Sequence, residues 1–128
     1  MKRLLLATLL SLTAICATAS DSKWSYLATN EGGSLAFMPS SYAEDALGYR
    51  TMWVRLEHKK PSDGVYKDEM LLIADCDARK LGPVHTISYN KHGNVVAEDR
   101  VPEYSAQMRT VPPSGFQYVI LEGLCAVP

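Results

Sequence analysis

Hydrophobic and polar residues alternate along the middle of the chain. Between residues 51 and 58, apolar side chains stand at every second position. This period of two is that of a half-buried β-strand. The run at residues 66–76 is instead apolar at every position of its stretch 70–74. It predicts a central strand that is covered on both sides and ends near Cys76.

Turn-forming residues separate these runs at short intervals. Clusters of glycine, proline, asparagine, aspartate and serine stand at residues 30–33, 39–41, 61–64, 82–83 and 90–94. Two further strands, at 81–89 and 95–98, flank the last cluster. Gly93 lies within that cluster and can take the positive φ that a hairpin turn requires. Short β-rich runs between frequent turns predict an antiparallel sheet.

The pattern changes period near the end of the chain. Ser114 and Gln117 have the spacing of a capping box, in which each side chain caps the backbone of a new helix. Apolar and small residues then recur at helical spacing, at Phe116, Val119, Ile120, Gly123 and Leu124. A short helix packed on the sheet is predicted, so the fold class is α+β. A final strand over residues 116–121 is the alternative, because this segment is also β-prone.

The first residues have the features of a secretory signal peptide. Lys2 and Arg3 precede an apolar run over residues 4–16, and Ala17 and Ala19 are the small residues that a signal peptidase needs. We expect cleavage after Ala19, which leaves residues 20–128 as one domain. A buried N-terminal helix fits less well, because the run is apolar on every face.

Cys16 raises the alternative of a lipid anchor on a processed N-terminal cysteine. Signal peptides of lipoproteins require a small residue directly before that cysteine, but the residue at this position is the β-branched Ile15. Free export to the periplasm or the cell envelope is therefore favoured over anchoring at Cys16, and display at the outer surface is left open. No run after residue 19 is long and apolar enough to predict a transmembrane segment.

Charge and cysteine content narrow the class of protein further. The net charge is −1, and removing Lys2 and Arg3 takes it to −3, so nucleic acid is not an expected partner. Cys76 and Cys125 form an even pair in an exported chain, and we expect a disulfide between them rather than two buried thiols. Chain entropy puts its stabilisation at about 4 kcal/mol.

The candidate chemistry is sparse. His58, His85 and His92 fall in three different predicted elements, without zinc-like spacing. Asp75 and Asp77 flank Cys76 and could suggest a calcium site. Calcium is coordinated by six or more oxygens, so we instead expect these carboxylates to be exposed at a strand end. No nucleophile elbow or phosphate loop occurs. The chain is expected to be no enzyme and to use no metal or cofactor.

Aromatic residues are the best candidates for a binding surface. They gather in the first half of the mature chain, at Trp24, Tyr26, Tyr42, Tyr49, Trp53 and Tyr66. Tryptophan and tyrosine often anchor protein interfaces, although most single rings belong to a core. The basic stretch at residues 55–60 could meet an acidic partner, but we favour a role in protecting a sheet edge.

Several of these features resemble the surface-adhesin protein E family of Gram-negative bacteria. Trp24 opens the mature chain, Asp75-Cys76 closes the long central strand, and residues 89–96 follow the order Tyr-x-x-x-Gly-x-Val-Val. Two prolines, Pro112 and Pro113, then precede the helix and the final cysteine. The resemblance spans nearly the whole mature chain. Its motifs are individually weak but specific in combination.

The resemblance implies a six-stranded antiparallel sheet with a C-terminal helix tethered by the disulfide. It also implies a protein ligand, such as the host matrix and serum proteins laminin and vitronectin. The matching positions Trp24, Asp75, Gly93 and Ser114 are expected to be structural, so no ligand-binding residue can be assigned. A soluble periplasmic protein without a host ligand is the alternative function, and a homodimer is left open.

Overall fold

A computed structural model describes residues 23–128 of the chain. The predicted signal peptide and Cys16 lie outside these residues. The strands are β1 (Ser25–Asn30), β2 (Gly33–Glu44), β3 (Arg50–Ser62), β4 (Val65–Asp75), β5 (Lys80–Tyr89), β6 (Val95–Arg100) and the two-residue β7 (Arg109–Thr110). A 3₁₀ helix spans Glu103–Ser105, and the helix α1 spans Gly115–Cys125. The helix confirms one of the two predictions for the last segment, and the final strand over residues 116–121 was wrong.

The strands form one antiparallel sheet in which chain order and spatial order agree. The order is β1-β2-β3-β4-β5-β6, and every neighbouring pair is antiparallel. β7 pairs with the first two residues of β5, on the side of β5 where β6 also lies. The predicted α+β fold with a sheet of about six strands and a C-terminal helix is therefore confirmed.

Tight turns explain this order, because each joins two strands that pair directly. Asp63 and Gly64 connect β3 to β4 and have φ angles of 51° and 77°. Positive φ at both central residues matches the right-handed twist of the flanking strands. Gly93, in the loop before β6, has a φ of 80°.

Two predicted turns were wrong. Pro39 lies inside β2, and Gly82 and Pro83 lie inside β5. Each segment coincides with a register shift, between Met38 and Ala43 in one case and opposite Leu71 and Leu72 in the other. Proline cannot donate a ladder hydrogen bond, so it is accommodated where a bulge interrupts the pairing and bends the strand.

One face of the sheet is covered by α1, and we call it the helix-covered face. The core cluster there consists of Leu35, Phe37, Met52, Val54, Leu72, Ala74, Leu81, Val111, Ile120, Leu121 and Leu124. Leu121 and Leu124 are fully buried. The helix can approach the sheet this closely because Gly123 has no side chain. A Cβ on Gly123 would lie 2.4 Å from Cε2 of Phe37.

The prediction that β4 is covered on both sides holds for only part of the strand. Leu72, Ile73 and Ala74 are buried, although they point alternately to both faces. Lys67 and Glu69 are only half-buried, because no second layer lies over the other face in residues 23–128. We call this other side of the sheet the open face.

The end of α1 is attached to the sheet by two different contacts. The predicted disulfide joins Cys76, just after β4, to Cys125 across a Cα–Cα distance of 5.7 Å. Arg50, the first residue of β3, donates from Nη1 to the carbonyl oxygens of Leu124 (3.0 Å) and Val127 (2.7 Å). The carbonyls at a helix C-terminus lack intrahelical partners and carry partial negative charge, so a guanidinium stabilises them.

The start of α1 differs from the sequence prediction. Ser114 is the N-cap residue, but its side chain makes no capping hydrogen bond. Gly115, the next residue, has a φ of 85°, outside the helical region. The chain thus enters the helix through a glycine turn, and the predicted capping box was wrong.

The disulfide should carry much of the stability. Its sequence separation of 49 residues gives about 4 kcal/mol in the chain-entropy model. We expect the double variant Cys76→Ser/Cys125→Ser to lose about that free energy of unfolding in urea titrations. Reductant should lower the stability of the wild type and leave the variant unchanged. Equal stabilities of oxidised wild type and variant would contradict this account.

The contact between Gly123 and Phe37 gives a second prediction. Gly123→Ala gains up to about 1 kcal/mol in helix propensity but overpacks the core by about 1–3 kcal/mol. We expect a net destabilisation, measured by denaturant unfolding. In a Phe37→Leu background the same substitution should become neutral or stabilising. An equal loss in both backgrounds would show that the ring is not the obstacle.

Candidate functional site

The strand register places three short rows of side chains side by side on the open face. Trp53, Arg55 and Glu57 of β3 pair with Leu71, Glu69 and Lys67 of β4, which in turn pair with His85, Ile87 and Tyr89 of β5. Ala36 and Met38 of β2 continue the face on one side, and Glu98 and Arg100 of β6 continue it on the other. The open face therefore combines aromatic rings with charges of both signs.

Arg55 lies at the centre of one half of this face. Its guanidinium carbon is 4.3 Å from the centroid of the Trp24 ring, and Nη2 is 3.8 Å from Oε2 of Glu69. The Arg55 side chain is only 11% exposed, so little solvent weakens these contacts. A cation–π contact of this kind contributes roughly 0.5–2 kcal/mol. The buried Trp24 thereby joins the N-terminal segment to the middle of the sheet.

Lys67 makes the corresponding contacts in the neighbouring row. Its Nζ is 4.6 Å from the centroid of the Tyr89 ring and 3.9 Å from Oε1 of Glu69. Glu69 is thus shared by two cations, Arg55 and Lys67. Partial burial, together with the charge of Glu69 and a hydrogen bond to it, raises the pKa of Tyr89 above 10.0.

Two more pairs lie towards the edges of the face. His85 Nε2 is 2.8 Å from Oε1 of Glu98, and the His85 ring meets the Trp53 ring edge-on, with centroids 5.2 Å apart. On the opposite side, the Tyr26 hydroxyl donates to Oε1 of Glu57 over 3.3 Å. Partial burial and the Glu57 carboxylate raise the pKa of Tyr26.

These contacts hold the side chains in place before any ligand arrives. Tryptophan, tyrosine and arginine contribute most to binding when they sit at the centre of an interface. Long side chains that are already immobilised lose less entropy on binding. The open face thus offers Tyr26, Lys67 and Tyr89 as accessible, pre-organised side chains, whereas Trp24 and Arg55 are largely buried.

A Ser–Asp–His group on the helix-covered face does not form a nucleophile. His58 Nε2 is 2.7 Å from Oδ2 of Asp68, and the Ser88 hydroxyl donates to Oδ1 of the same carboxylate over 2.5 Å. In a catalytic triad the histidine stands between serine and aspartate, so that it can take the hydroxyl proton. Here the aspartate stands in the middle and accepts from both, which makes the group a structural hydrogen-bond network.

Residues 23–128 were compared with the geometry of metal sites and of membrane-spanning helices. No three or more His, Cys, Asp or Glu side chains in that part of the chain are grouped so that they could hold an ion. Asp75 Oδ1 instead accepts a hydrogen bond from the backbone N–H of Ala78. Within the same residues, no helix has the length and apolar character needed to cross a membrane.

The predicted aromatic cluster is divided between the two faces. Trp24, Tyr26 and Trp53 belong to the open face, whereas Tyr42 packs against the core under α1. Tyr66 is 41% exposed and lies on the helix-covered side of β4.

The basic stretch at residues 55–60 does not protect a sheet edge, so that preference was wrong. β3 is an interior strand that pairs with β2 and β4. Arg55 points to the open face, and His58 joins Asp68 on the other side.

Sequence reasoning did not find Lys67, Glu69, His85, Tyr89 and Glu98 as parts of one surface. The signal available in the sequence was their spacing, because residues of this group on the same strand are separated by two or four positions and so share one face. The register between strands was needed to bring them together.

The family model for surface-adhesin protein E matches residues 24–126. The chain belongs to the surface-adhesin protein E family. The match begins at Trp24 and includes both cysteines of the disulfide, so it covers the sheet, the helix and the open face. Comparison with curated proteins and with solved structures gives no match.

The raised pKa of Tyr89 predicts a pH dependence of stability for this family member. The folded state keeps the phenol proton to higher pH than the unfolded chain, whose value is near 10.0. The resulting stabilisation is complete below that pH and is lost as pH rises through the folded-state pKa. The free energy of unfolding should therefore fall less steeply above pH 10 in Tyr89→Phe than in wild type.

The matched control is Tyr104→Phe, because the Tyr104 side chain is 91% exposed. It should reproduce the wild-type slope in urea titrations at several alkaline pH values. Identical slopes for Tyr89→Phe and wild type would contradict the assignment.

Proposed function

We propose that this chain is an exported, non-enzymatic binding module of the bacterial envelope, and that the open face binds a protein ligand. Membership in a family described as surface adhesins supports a binding role. The proposed ligand is a host extracellular-matrix or serum protein. The observation that carries the proposal is the uncovered sheet face, where Lys67 lies over Tyr89 and Arg55 lies over the buried Trp24.

Mixed charge on this face supports a protein ligand over nucleic acid. Arg55 and Lys67 share Glu69, and His85 pairs with Glu98, so positive charge is balanced locally. Nucleic-acid surfaces need an excess of lysine and arginine to displace counterions from phosphates. A balanced, aromatic surface instead suits a protein partner, where charge pairs select the orientation and rings supply contact area.

A binding assay with residues 20–128 tests the open face. The double variant Tyr26→Ala/Lys67→Ala removes one side chain on each side of that face. Its Kd for laminin or vitronectin, taken as candidate ligands, should rise at least about tenfold, as expected for interface anchors. The measurement is biolayer interferometry at physiological salt, with melting curves to confirm folding.

The control variant is Tyr66→Ala/Lys91→Ala. Tyr66 is a partly exposed strand tyrosine on the other face, and Lys91 lies in the exposed loop before β6. This variant should bind like wild type. If both variants bound the ligand equally more weakly than wild type, the open face would not be the site. The same would follow if neither variant weakened the binding of a ligand that wild type binds.

A soluble periplasmic role without a host ligand is the second candidate, and Ile15 before Cys16 favours it. Antibody labelling of cells separates the two. Signal on intact cells supports the adhesin, and signal that requires permeabilisation of the outer membrane supports the periplasmic role.

A further inference from the structure

A groove of about 580 Å³ lies on the helix-covered face, far from the open face. Its floor is formed by β3, β4 and β5, and its walls are the start of α1 and the segment around β7. The helix is fully buried at Leu121 and Leu124, near its tether, but Phe116 in its first turn is only half-buried. The groove is therefore the space where the untethered end of the helix does not close on the sheet. Its volume is in the range of small-molecule sites.

The groove is apolar along its length and polar at its rim. Its apolar lining consists of Leu56, Met70, Leu72, Leu81, Pro83, Val111, Phe116 and Ile120. The polar side chains Gln107, Arg109, Thr110 and Gln117 are all exposed.

Arg109 is the only charged residue of the lining, and it forms no ion pair within residues 23–128. The acidic residue Asp99 is not part of this lining, because it borders a separate depression that shares Pro83 and Gln107 with the groove. A ligand that complements this surface has an apolar body and one anionic end.

The lining favours an acyl chain over a peptide. A peptide would bring backbone N–H and C=O groups into the groove, and each buried group needs a hydrogen-bond partner. No buried side-chain nitrogen or oxygen that lacks a partner lines the groove in the described part of the chain. An acyl chain has no such groups, and its transfer from water is favourable by about 0.8 kcal/mol per buried CH₂.

We propose that this groove binds a free fatty acid, with the acyl chain between α1 and the sheet and the carboxylate at Arg109. Gln107 and Gln117 also line the groove, and their exposed side-chain amides can donate to the carboxylate oxygens. The site is separate from the open face and does not depend on the function proposed for that face.

Laurate, below its micelle concentration, is the probe. Titration calorimetry should show saturable binding to residues 20–128, and laurate should shift the methyl NMR signal of Met70 but not that of Met38, which lies on the open face. Arg109→Gln should weaken laurate binding about fivefold, the effect of one exposed ion pair, and leave the binding of uncharged methyl laurate unchanged. Arg100→Gln, an exposed arginine on β6, is the matched control and should bind laurate like wild type.

A second variant keeps the test independent of charge. Gln117→Trp places a large ring at the rim from an exposed helix position and should weaken both laurate and methyl laurate. Several results would overturn the proposal: no saturable binding of laurate, perturbation of Met38 instead of Met70, or equal losses in Arg109→Gln and Arg100→Gln. Stronger binding of a hydrophobic peptide than of laurate would also overturn it.

Discussion

The packing of α1 against a single sheet is the contact on which the rest of the structure depends. The helix has 11 residues, too few to be stable alone in water, so it exists because its apolar side chains are buried by the sheet. The apolar face of the sheet is in turn covered, within residues 23–128, by this helix together with Val111 from the segment that precedes it. Gly123 allows the close approach to Phe37, while the disulfide at Cys125 and the Arg50 contacts hold the C-terminal end.

One helix can cover only one side of the sheet, so the other side must be stable in contact with water. On the open face, long cationic side chains lie over aromatic rings and shield them from water. Arg55 lies over Trp24, and Lys67 lies over Tyr89, so that apolar stems and rings are shielded while the charged ends meet Glu69. This arrangement produces a fixed, amphipathic surface. Such a surface suits protein binding because its anchors need little further ordering.

The two ends of the helix are attached to the rest of the protein in different ways. The C-terminal end is held by a covalent bond and by charged hydrogen bonds, whereas the N-terminal end enters through Gly115 without a side-chain cap. The groove lies beneath that uncapped end, beside Phe116. The tethered end of the short helix thus has fully buried side chains, and the other end borders a less tightly closed apolar space.

The sequence by itself determined β3 to β6, the antiparallel sheet and the final helix, because alternation and turn residues act locally, but it did not locate β1 or β2. The cysteine pair followed from the even number of cysteines after residue 19. The sequence misplaced turns at Pro39 and Gly82, where bulges within longer strands absorb the same residues. The tertiary structure alone decided which side chains share a face. Arg55, Glu69 and Tyr89 are neighbours only through the register of three strands, and the groove exists only because α1 and the segment around β7 lie over the same part of the sheet. Long-range register and packing depend on the whole chain at once, and no local pattern encodes them.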